Sequence, residues 1–333
     1  MIRTCPLYCC AAYVFRTAAA CCLALAAGGA LAQAYPNKPV RWVVPFPPGG
    51  SADIMGRMIG QELSKALGQQ VVIENRAGAS AIVGSEYVAK SPPDGYTLLQ
   101  GNVSQLTIHP SLYPKLPYDP VRDFAPVTVL GIVASVVVTT PSLPVGSIRE
   151  LVALAKKRPG QLNFTSSGAG ASTHLTGELL KQRAGISMTH INYKGSGPAL
   201  TDVMAGFVEI MFENLPSALP FITGGKLKVL AVTGKDRSPV LPAVPTLAES
   251  GFPGFDMVSW QALVAPAATP RPVIDRLHAD VVRVLKTAEM KEKMFGLGTE
   301  VVANTPEQFA QYLREETAKW SQIVRDAGIR LEN

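Results

Sequence analysis

The sequence predicts an α/β protein of two domains, each a central sheet flanked by helices. Short apolar strands alternate with amphipathic helices along most of the chain, and this alternation indicates sheets covered by helices on both faces. The chain has 333 residues, of which 47% are hydrophobic and 17% charged, so it is too apolar to be disordered and long enough for two domains. Two long apolar segments, 127–139 and 257–265, lack the helical period and are expected to be strands that pass between the domains.

The first part of the chain contains three predicted strands and two predicted helices. Apolar residues recur at helical spacing in the segment 53–67, at Ile54, Met55, Met58, Ile59, Leu63 and Leu67. A second helix, at 82–89, ends before the turn-forming run Pro92-Pro93-Asp94-Gly95. Strands are predicted at 40–44, 71–74 and 98–101.

The middle part of the chain continues the alternation. Ser147 and Glu150 form a capping box that opens a helix reaching Arg158. Strands are predicted at 162–166, 188–192, 208–213 and 228–232, and helices at 172–184, 198–205 and 215–221. This order of strands and helices predicts parallel sheets.

The C-terminal part is predicted to be helical, at 272–286, 288–295 and 306–327. Thr305 and Gln308 form a second capping box, with Pro306 at the first helical position. Crossings near 133–138 and 257–262 would enclose a middle domain. We therefore expect one domain at 35–135 together with 260–333, and a second at 136–259.

The first 34 residues have the composition of a secretory signal peptide. Arg3 and Arg16 are their only charges, residues 18–32 are uncharged, and Ala32-Gln33-Ala34 is a small-residue cleavage site. We expect cleavage after Ala34 and export; the alternative is an uncleaved anchor. All five cysteines fall within the first 22 residues, so the rest of the sequence offers no thiol nucleophile and no thiolate metal site.

A glycine-rich loop joins the first strand to the first helix and is the first candidate ligand site. Glycines let the backbone approach a ligand closely, and Ser51 is expected to cap the helix, so that free N–H groups face an anion. The alternative is an ordinary turn between a strand and a helix. The candidate residues of this loop are Phe46, Pro47, Gly49, Gly50, Ser51 and Asp53.

Two further strand-to-helix loops are candidate ligand sites. The second loop, 165–174, is rich in hydroxyls and small residues that suit a polar ligand, and its candidates are Ser166, Ser167, Gly168, Ser172 and His174. The third loop, 193–199, contributes Tyr193 and Gly195; the alternative is a simple turn with Pro198 at the helix start. Ligands of open α/β sheets bind at the C-terminal ends of strands, so the three loops predict a ligand in a cleft between the domains.

Several other chemistries find no support in the sequence. The second loop nearly matches G-x-G-x-x-G, but Thr173 replaces the third glycine and no acidic residue lies between Glu178 and Asp202, so no dinucleotide cofactor is expected. His109, His190 and His278 are isolated, so no metal site is expected. The basic run 156–158 closes a helix, which predicts capping charge rather than a nucleic-acid partner.

A serine hydrolase is the main competing hypothesis. Ser167 or Ser172 would act as the nucleophile, with His174 as the base. The sequence contains no G-x-S-x-G elbow, and residues 172 and 174 at a helix start do not face each other. We therefore do not expect an enzyme.

Six motifs, spread over nearly the whole chain after residue 34, are together typical of one known family. They are residues 43–53 with Arg57; Ser166-Ser167-Gly168 through His174-Leu175 and Glu178; Tyr193-Lys194-Gly195 with Pro198-Ala199; His109-Pro110-Ser111-Leu112-Tyr113; Asp123-Phe124-Ala125-Pro126-Val127; and Val244-Pro245-Thr246-Leu247 with Glu249, Gly251 and Phe252. On these motifs the chain resembles the Bug-type periplasmic receptors, which are the solute-binding proteins of tripartite tricarboxylate transporters.

The resemblance implies a two-domain periplasmic-binding-protein fold, the Venus flytrap, that closes on a small carboxylate held by backbone amides, hydroxyls and waters. It implies membrane permease subunits as partners, and a monomer without cofactor. A ligand sensor for a signalling partner is the alternative. Ser104, in a further strand-to-helix loop, is expected to add a hydroxyl. The chain departs from the family pattern at Pro47-Pro48, where many members carry a smaller residue, and proline removes backbone donors there.

Overall fold

The structure is a computed structural model that describes residues 35–326 and residue 328. The expected signal peptide and its cleavage site, residues 1–34, lie outside the described residues, as does residue 327 at the end of the last predicted helix. Within the described part of the chain, no helix is both long enough and apolar enough to cross a membrane.

Six strands form the first sheet: β1 (Val40–Val44), β2 (Val71–Asn75), β3 (Thr97–Asn102), β4 (Phe124–Val133), β10 (Ser259–Pro266) and β11 (Thr299–Val301). Their order in space is β11-β4-β10-β3-β1-β2. β1 runs parallel to β2 and β3, and its Trp42 lies opposite Ile73 and Leu98. β10 is antiparallel to β3 and β4, and β11 is antiparallel to β4.

Five strands form the second sheet: β5 (Ser135–Thr139), β6 (Asn163–Thr165), β7 (Thr189–His190), β8 (Ile210–Asn214) and β9 (Lys228–Val232). Their order in space is β7-β6-β8-β5-β9. β6 runs parallel to β7 and β8, whereas β5 is antiparallel to β8 and β9.

Helices connect and cover these strands. They are α1 (Ser51–Leu67), α2 (Ile82–Ala89), a π-helix (Ser104–Ile108), α3 (His109–Leu112), α4 (Ile148–Lys157), α5 (Ser172–Ala184), α6 (Ser196–Ala205), α7 (Leu215–Thr223), α8 (Arg271–Leu285), α9 (Ala288–Gly296) and α10 (Pro306–Asp326). α1 packs on β1, β2 and α8, and α10 packs on β4 and the π-helix. On the second sheet, α5, α6 and α7 all pack against β8.

A buried glutamine fixes the start of α1 against the first sheet. Gln100 of β3 accepts a hydrogen bond from the Trp42 indole at 2.9 Å and donates one to the carbonyl of Ala52 at 2.9 Å. The helix approaches closely here because it has no side chain at Gly56, where a Cβ would lie 2.6 Å from Gln100 Oε1. The polar network therefore sets the position of the loop that precedes α1.

The predicted strands and helices are confirmed, mostly to within two residues at each end. The Thr305–Gln308 capping box is complete, since each backbone N–H is bonded to the other side chain, at 2.9 and 3.2 Å. In the first box, Ser147 accepts from the Glu150 N–H as expected, but the Glu150 carboxylate accepts from Gly146 instead. The π-helix, α3 and β11 were not predicted.

The prediction of parallel sheets is wrong, because both sheets are mixed. The predicted strand at 127–139 is interrupted at Ala134: its first part is β4 of the first sheet and its second part is β5 of the second sheet. β10 returns the chain to the first sheet. No crossover helix precedes β5 or β10, so these two strands add antiparallel to their neighbours.

All three tryptophans of the chain lie in elements of the first sheet or its covering helices. Trp42, Trp260 and Trp320 are fully buried. The indoles of Trp260 in β10 and Trp320 in α10 both donate to Glu316 Oε2, at 3.0 and 3.1 Å. This shared carboxylate ties α10 to the sheet.

Candidate functional site

A cavity of about 500 Å³ lies where strands of both sheets end. The loops after β1, β2 and β3 line it from the first sheet, and the loops after β6 and β7 line it from the second. The lining residues are Pro45, Phe46, Pro47, Ala77, Gly78, Ala79, Ser80, Ala81, Ser104, His109, Ser167, Gly168, Ala171, Asn192, Tyr193, Lys194 and Gly195. Lys194, which is exposed, is the one residue with a formal charge among these lining residues.

Asp53 holds the β1–α1 loop in place from behind the cavity. Its carboxylate accepts from the Gly49 N–H at 3.0 Å and the Asn75 amide at 2.9 Å, and it pairs with Arg57 at 2.9 Å. Burial by itself raises the pKa of Asp53, but the hydrogen bonds from Arg57, Gly49 and Asn75 outweigh burial, and the pKa lies below its ordinary value. Asp53 is therefore an ionised loop anchor, outside the cavity lining.

The expectation that Ser51 caps α1 is wrong. Gly50 is the N-cap residue, Ser51 is already helical, and no side chain caps the helix. The Ser51 hydroxyl is buried and, among the described residues, has no hydrogen-bond partner. It borders a second, narrow recess of about 20 Å³, which Gly50, Asn102, Ser196 and Asn214 also line.

The loop after β2 is a part of the site that sequence analysis missed. Ala79, Ser80 and Ala81 have φ values of 44°, 52° and 75°, so three consecutive residues with side chains are left-handed. Such conformations are unfavourable for residues other than glycine. The Ser80 hydroxyl donates to the carbonyl of Ala169 at 2.7 Å, which joins this loop to the β6–α5 loop across the cavity.

The π-helix brings Ser104 and His109 to the cavity. The N–H of His109 bonds to the carbonyl of Ser104, five residues earlier, as a π-helical turn requires. Ser104 Oγ accepts from the Ser172 N–H at 3.1 Å, a second contact between the two sheets' loops. Ser104 was expected to add a hydroxyl here, whereas His109 was regarded as an isolated histidine.

The β6–α5 loop contributes Ser167 and Gly168 to the cavity, and two histidines support it from behind. His174 Nδ1 accepts from the Gly170 N–H at 3.2 Å, and Ser166 Oγ lies 2.9 Å from His190 Nε2. The two imidazole rings stack with centroids 4.0 Å apart. Burial lowers the pKa of His174 to about 4 and that of His190 to about 3, so both rings are neutral near pH 7.

The loop after β7 closes the cavity wall. A Cβ on Gly195, whose φ is 117°, would lie 2.7 Å from Pro47 Cγ, so this glycine allows contact between loops of the two sheets. The Tyr193 hydroxyl donates to Asp202, and burial together with this carboxylate raises the Tyr193 pKa to about 12. Asn192 accepts from the Ala169 N–H at 2.9 Å and so connects the two loops of the second sheet.

Glu213 at the end of β8 is fully buried beside the narrow recess. Its Oε1 accepts from the Asn214 N–H at 2.9 Å and from the hydroxyls of Ser196 and Ser217 at 3.0 and 2.7 Å. Its Oε2 has no hydrogen-bond partner in the described part of the chain. Burial raises the pKa of Glu213 to about 7.

The structure brings together half of the candidate residues in the main cavity: Phe46, Pro47, Ser104, Ser167, Gly168, Tyr193 and Gly195. Gly50 and Ser51 line the narrow recess, while Gly49, Asp53, Ser166, Ser172 and His174 line neither space. The lining residues that were missed include those of the 77–81 loop, His109 and Asn192. Gly78, four residues before the predicted helix at 82–89, was the one available sequence signal for that loop.

The site offers little support for the hydrolase hypothesis. The Ser167 hydroxyl pairs with Thr173 Oγ1 at 2.7 Å, while His174 is committed to the loop backbone. Among the described residues, neither Ser167 nor Ser172 is hydrogen-bonded to His174. No group of three or more His, Cys, Asp or Glu residues in the described chain is placed to hold a metal ion.

Two mixed α/β sheets with a cavity at their strand ends define the class of periplasmic binding proteins. A family profile described as "Tripartite tricarboxylate transporter family receptor" matches residues 55–329, and the chain belongs to this family. The Bordetella pertussis protein BugT is 40% identical over 302 residues, covering 90% of this chain and 93% of the relative. The resemblance to Bug-type receptors and the receptor function it implies are thereby confirmed.

Solved structures agree with this assignment. R. palustris Rpa4515 with adipate matches at a TM-score of 0.87 and 36% identity, covering 89% of this chain and 99% of that protein. MatC from Rhodopseudomonas palustris with bound malate matches at a TM-score of 0.83 and 33% identity, covering 87% and 100%. The two-domain periplasmic-binding-protein fold is therefore confirmed as well.

Proposed function

We propose that this receptor captures a small carboxylate in the 500 Å³ cavity. The observation that carries the proposal is the composition of the lining, which is mainly apolar but presents hydroxyl, amide and backbone groups, with Lys194 as its one formal charge. A mainly apolar cavity with a few hydrogen-bonding groups and one cation suits a small organic anion better than a cation. Adipate and malate, found in two similar proteins, are both small dicarboxylates and set the ligand class to test first.

Both sheets contribute to holding the ligand in this proposal. Ser104 acts from the first sheet, and Ser167 and Gly168 act from the second. The amides near Gly50 act from the narrow recess, which shares Ser167 and Gly195 with the main cavity. Backbone N–H groups at a helix start are unpaired donors that favour negative charge. Pro47 and Pro48 have no N–H and the Gly49 N–H is bonded to Asp53, so beyond Phe46 the β1–α1 loop can offer backbone donors only from Gly50 onward.

We propose domains at 35–135 with 260–333 and at 136–259, which move about crossings near 133–138 and 257–262. The passage from β4 to β5 through Ala134, and the return through β10, support these bounds. Closure would shift an existing equilibrium between open and closed arrangements toward the closed one.

The proposed setting is the periplasm, after removal of the signal peptide at Ala34, with the protein a monomer that delivers its ligand to membrane permease subunits. Delivery to a signalling partner is the alternative. No cofactor and no catalytic residue are assigned. Hydrolysis by Ser167 or Ser172 with His174 predicts turnover of a chromogenic ester that disappears in His174→Ala, and we expect no turnover.

Native mass spectrometry of the secreted protein, purified without added ligand, tests the proposal first. A co-purifying carboxylic acid at one molecule per chain is the expected result, released on gentle denaturation. An empty protein is then titrated with adipate, malate, succinate and hexanoate, and a binding acid should raise the thermal midpoint by mass action. No bound acid and a flat titration with all four would contradict the proposal.

A further inference from the structure

His109 is a polar side chain that lines the cavity without a protein partner. Its ring is fully buried, and neither Nδ1 nor Nε2 has a hydrogen-bond partner among the described residues. The ring is held by an edge-on contact with Tyr113, with centroids 5.1 Å apart. Buried polar groups are nearly always hydrogen-bonded, so an orphan at a cavity wall is available to bond a ligand in the cavity.

The backbone turn that carries His109 supports this interpretation. Residues five apart in an α-helix point to different sides, but the π-helical turn from Ser104 to His109 places both of them on the cavity. Ser104 accepts from the Ser172 N–H, whereas neither ring nitrogen of His109 has a partner among the described residues. A π-helical turn is less stable than an α-helical turn and often marks a functional site.

The protonation state of His109 defines what it can bind. Burial lowers the pKa of His109 to about 3, so the ring is neutral near pH 7, with one N–H donor and one nitrogen acceptor. Carboxylate oxygens accept hydrogen bonds and donate none. A neutral imidazole can therefore bond an ionised acid through its N–H without adding charge to the cavity.

We propose that His109 is a ligand-contact residue whose imidazole donates a hydrogen bond to an oxygen of the bound carboxylic acid, and so helps to select which acids bind. This inference rests on the proposed function. Ligand binding would give the buried imidazole a hydrogen-bond partner. The same bond would disfavour ligands that place an apolar group at this wall, because the imidazole would remain unsatisfied.

The test compares His109→Phe and His109→Asn with the unchanged protein by calorimetry against adipate, malate and succinate. Phenylalanine keeps a buried ring but has no nitrogen, so affinity should fall about 10- to 100-fold, as expected for a hydrogen bond to a charged group. Asparagine keeps a donor on a shorter side chain and should retain part of the affinity. Ser111→Ala, on the same short helix but outside the lining, should bind within about twofold of the unchanged protein.

Thermal unfolding without ligand separates contact from structural support. His109→Phe removes two orphan nitrogens, so its ligand-free midpoint should be equal to or higher than that of the unchanged protein. If both His109→Phe and His109→Asn bind the acids as the unchanged protein does, the inference is overturned and the proposed function stands. If His109→Phe also lowers the midpoint, the result for His109→Asn decides. Unchanged acid binding by His109→Asn overturns the inference. Weakened acid binding by His109→Asn, with a thermal midpoint equal to that of the unchanged protein, supports it. If the unchanged protein binds none of the acids, the proposed function itself fails.

Discussion

Among single residues, Glu213 differs from the other buried carboxylates of the site. Asp53 is buried too, but the Arg57 guanidinium and two further donors keep its pKa low. Glu213 has three donors on one oxygen and none on the other, and no cation offsets its burial. The facing helix α7 contains no ionisable residue, and Asp202, which α6 carries, is bonded to Tyr193. Ionising Glu213 therefore opposes folding.

This imbalance predicts how stability depends on pH. Burial raises the pKa of Glu213 from 4.5 to about 7, so the folded protein holds a proton that the unfolded chain releases. The free energy of unfolding should fall as the pH rises from about 4.5 to 7 and stay level above, by about 3 kcal/mol from this group. Glu213→Gln should remove that fall in urea titrations at pH 5, 6, 7 and 8.

Glu292→Gln is the matched control, because Glu292 is exposed on α9. It should leave the pH profile as it is in the unchanged protein. If Glu213→Gln shows the same fall in stability as the unchanged protein, then Glu213 is already ionised at pH 5 and its surroundings are more polar than its contacts indicate.

Among the structural elements, the left-handed loop after β2 is the most strained. Ala79, Ser80 and Ala81 all have positive φ, where Cβ approaches the following carbonyl oxygen. The Ser80 bond to Ala169 and the packing of Ala81, which is 1% exposed, oppose relaxation of this loop. Strain of this kind is typical of ligand-binding segments, where a stable fold holds an unfavourable backbone.

Glycine substitution measures the strain. Ala79 is exposed, so Ala79→Gly should relieve a left-handed residue without opening the core and should raise the free energy of unfolding by about 1 kcal/mol. Ala77→Gly, two residues earlier and also exposed, lies outside the left-handed run and should lower stability through the entropy of the unfolded chain. Chemical denaturation of both variants gives the comparison, and a loss of stability in Ala79→Gly would show that the loop is unstrained.

Sequence periodicity predicted the regular elements well, because the spacing of apolar residues within a helix or strand can be read from that segment alone. The 53–67 helix and the second capping box are examples. The mixed sheets were missed because strand direction depends on how segments far apart in sequence meet. The left-handed loop and the π-helix were missed for another reason: tertiary contacts impose them on residues whose own preferences are ordinary.

In the candidate site too, features set by local sequence were predicted and features set by tertiary packing were missed. Loops at strand ends were found because glycines and hydroxyls mark them, and Ser167, Gly168 and Gly195 do line the cavity. His174 was expected beside them, but helix α5 carries it behind the loop, where it binds the Gly170 N–H. Whether a side chain at a helix start faces the cavity depends on how the helix is rotated about its own axis. Packing against the sheet sets that rotation, so the sequence of the loop does not reveal it.

In the molecule as a whole, the three contacts already named among the described residues join loops of the two sheets across the site. They are the Ser80 bond to Ala169, the Ser172 bond to Ser104, and the approach of Gly195 to Pro47. None of them involves an ion pair. A few short polar and van der Waals contacts are individually weak, which suits the opening and closing proposed for this receptor.

The variant Gly195→Ala tests the contact between the Gly195 loop and Pro47. The new Cβ would lie 2.7 Å from Pro47 Cγ, and overpacking by one methyl group costs about 1–3 kcal/mol, so ligand affinity should fall roughly tenfold or more. Gly197→Ala in the same loop is the control, because its nearest neighbour would be 3.8 Å away. Calorimetry gives the affinity, and small-angle scattering with and without ligand reports closure.

The double variant Gly195→Ala with Pro47→Ala separates the steric effect from backbone strain. Removing the proline ring atoms should recover part of the affinity if the clash is the cause. No recovery would mean that the positive φ of Gly195, rather than its contact with Pro47, limits binding.

The placement of the three tryptophans gives the two halves of the molecule different optical signals. Trp42, Trp260 and Trp320 lie with the first sheet, and the segment 136–259 contains none. Indole fluorescence during denaturation therefore reports the melting of one half, while far-ultraviolet circular dichroism reports both. Coincident curves would mean that the halves unfold as a single cooperative unit. Separated curves would give the stability of each half as a separate unfolding unit.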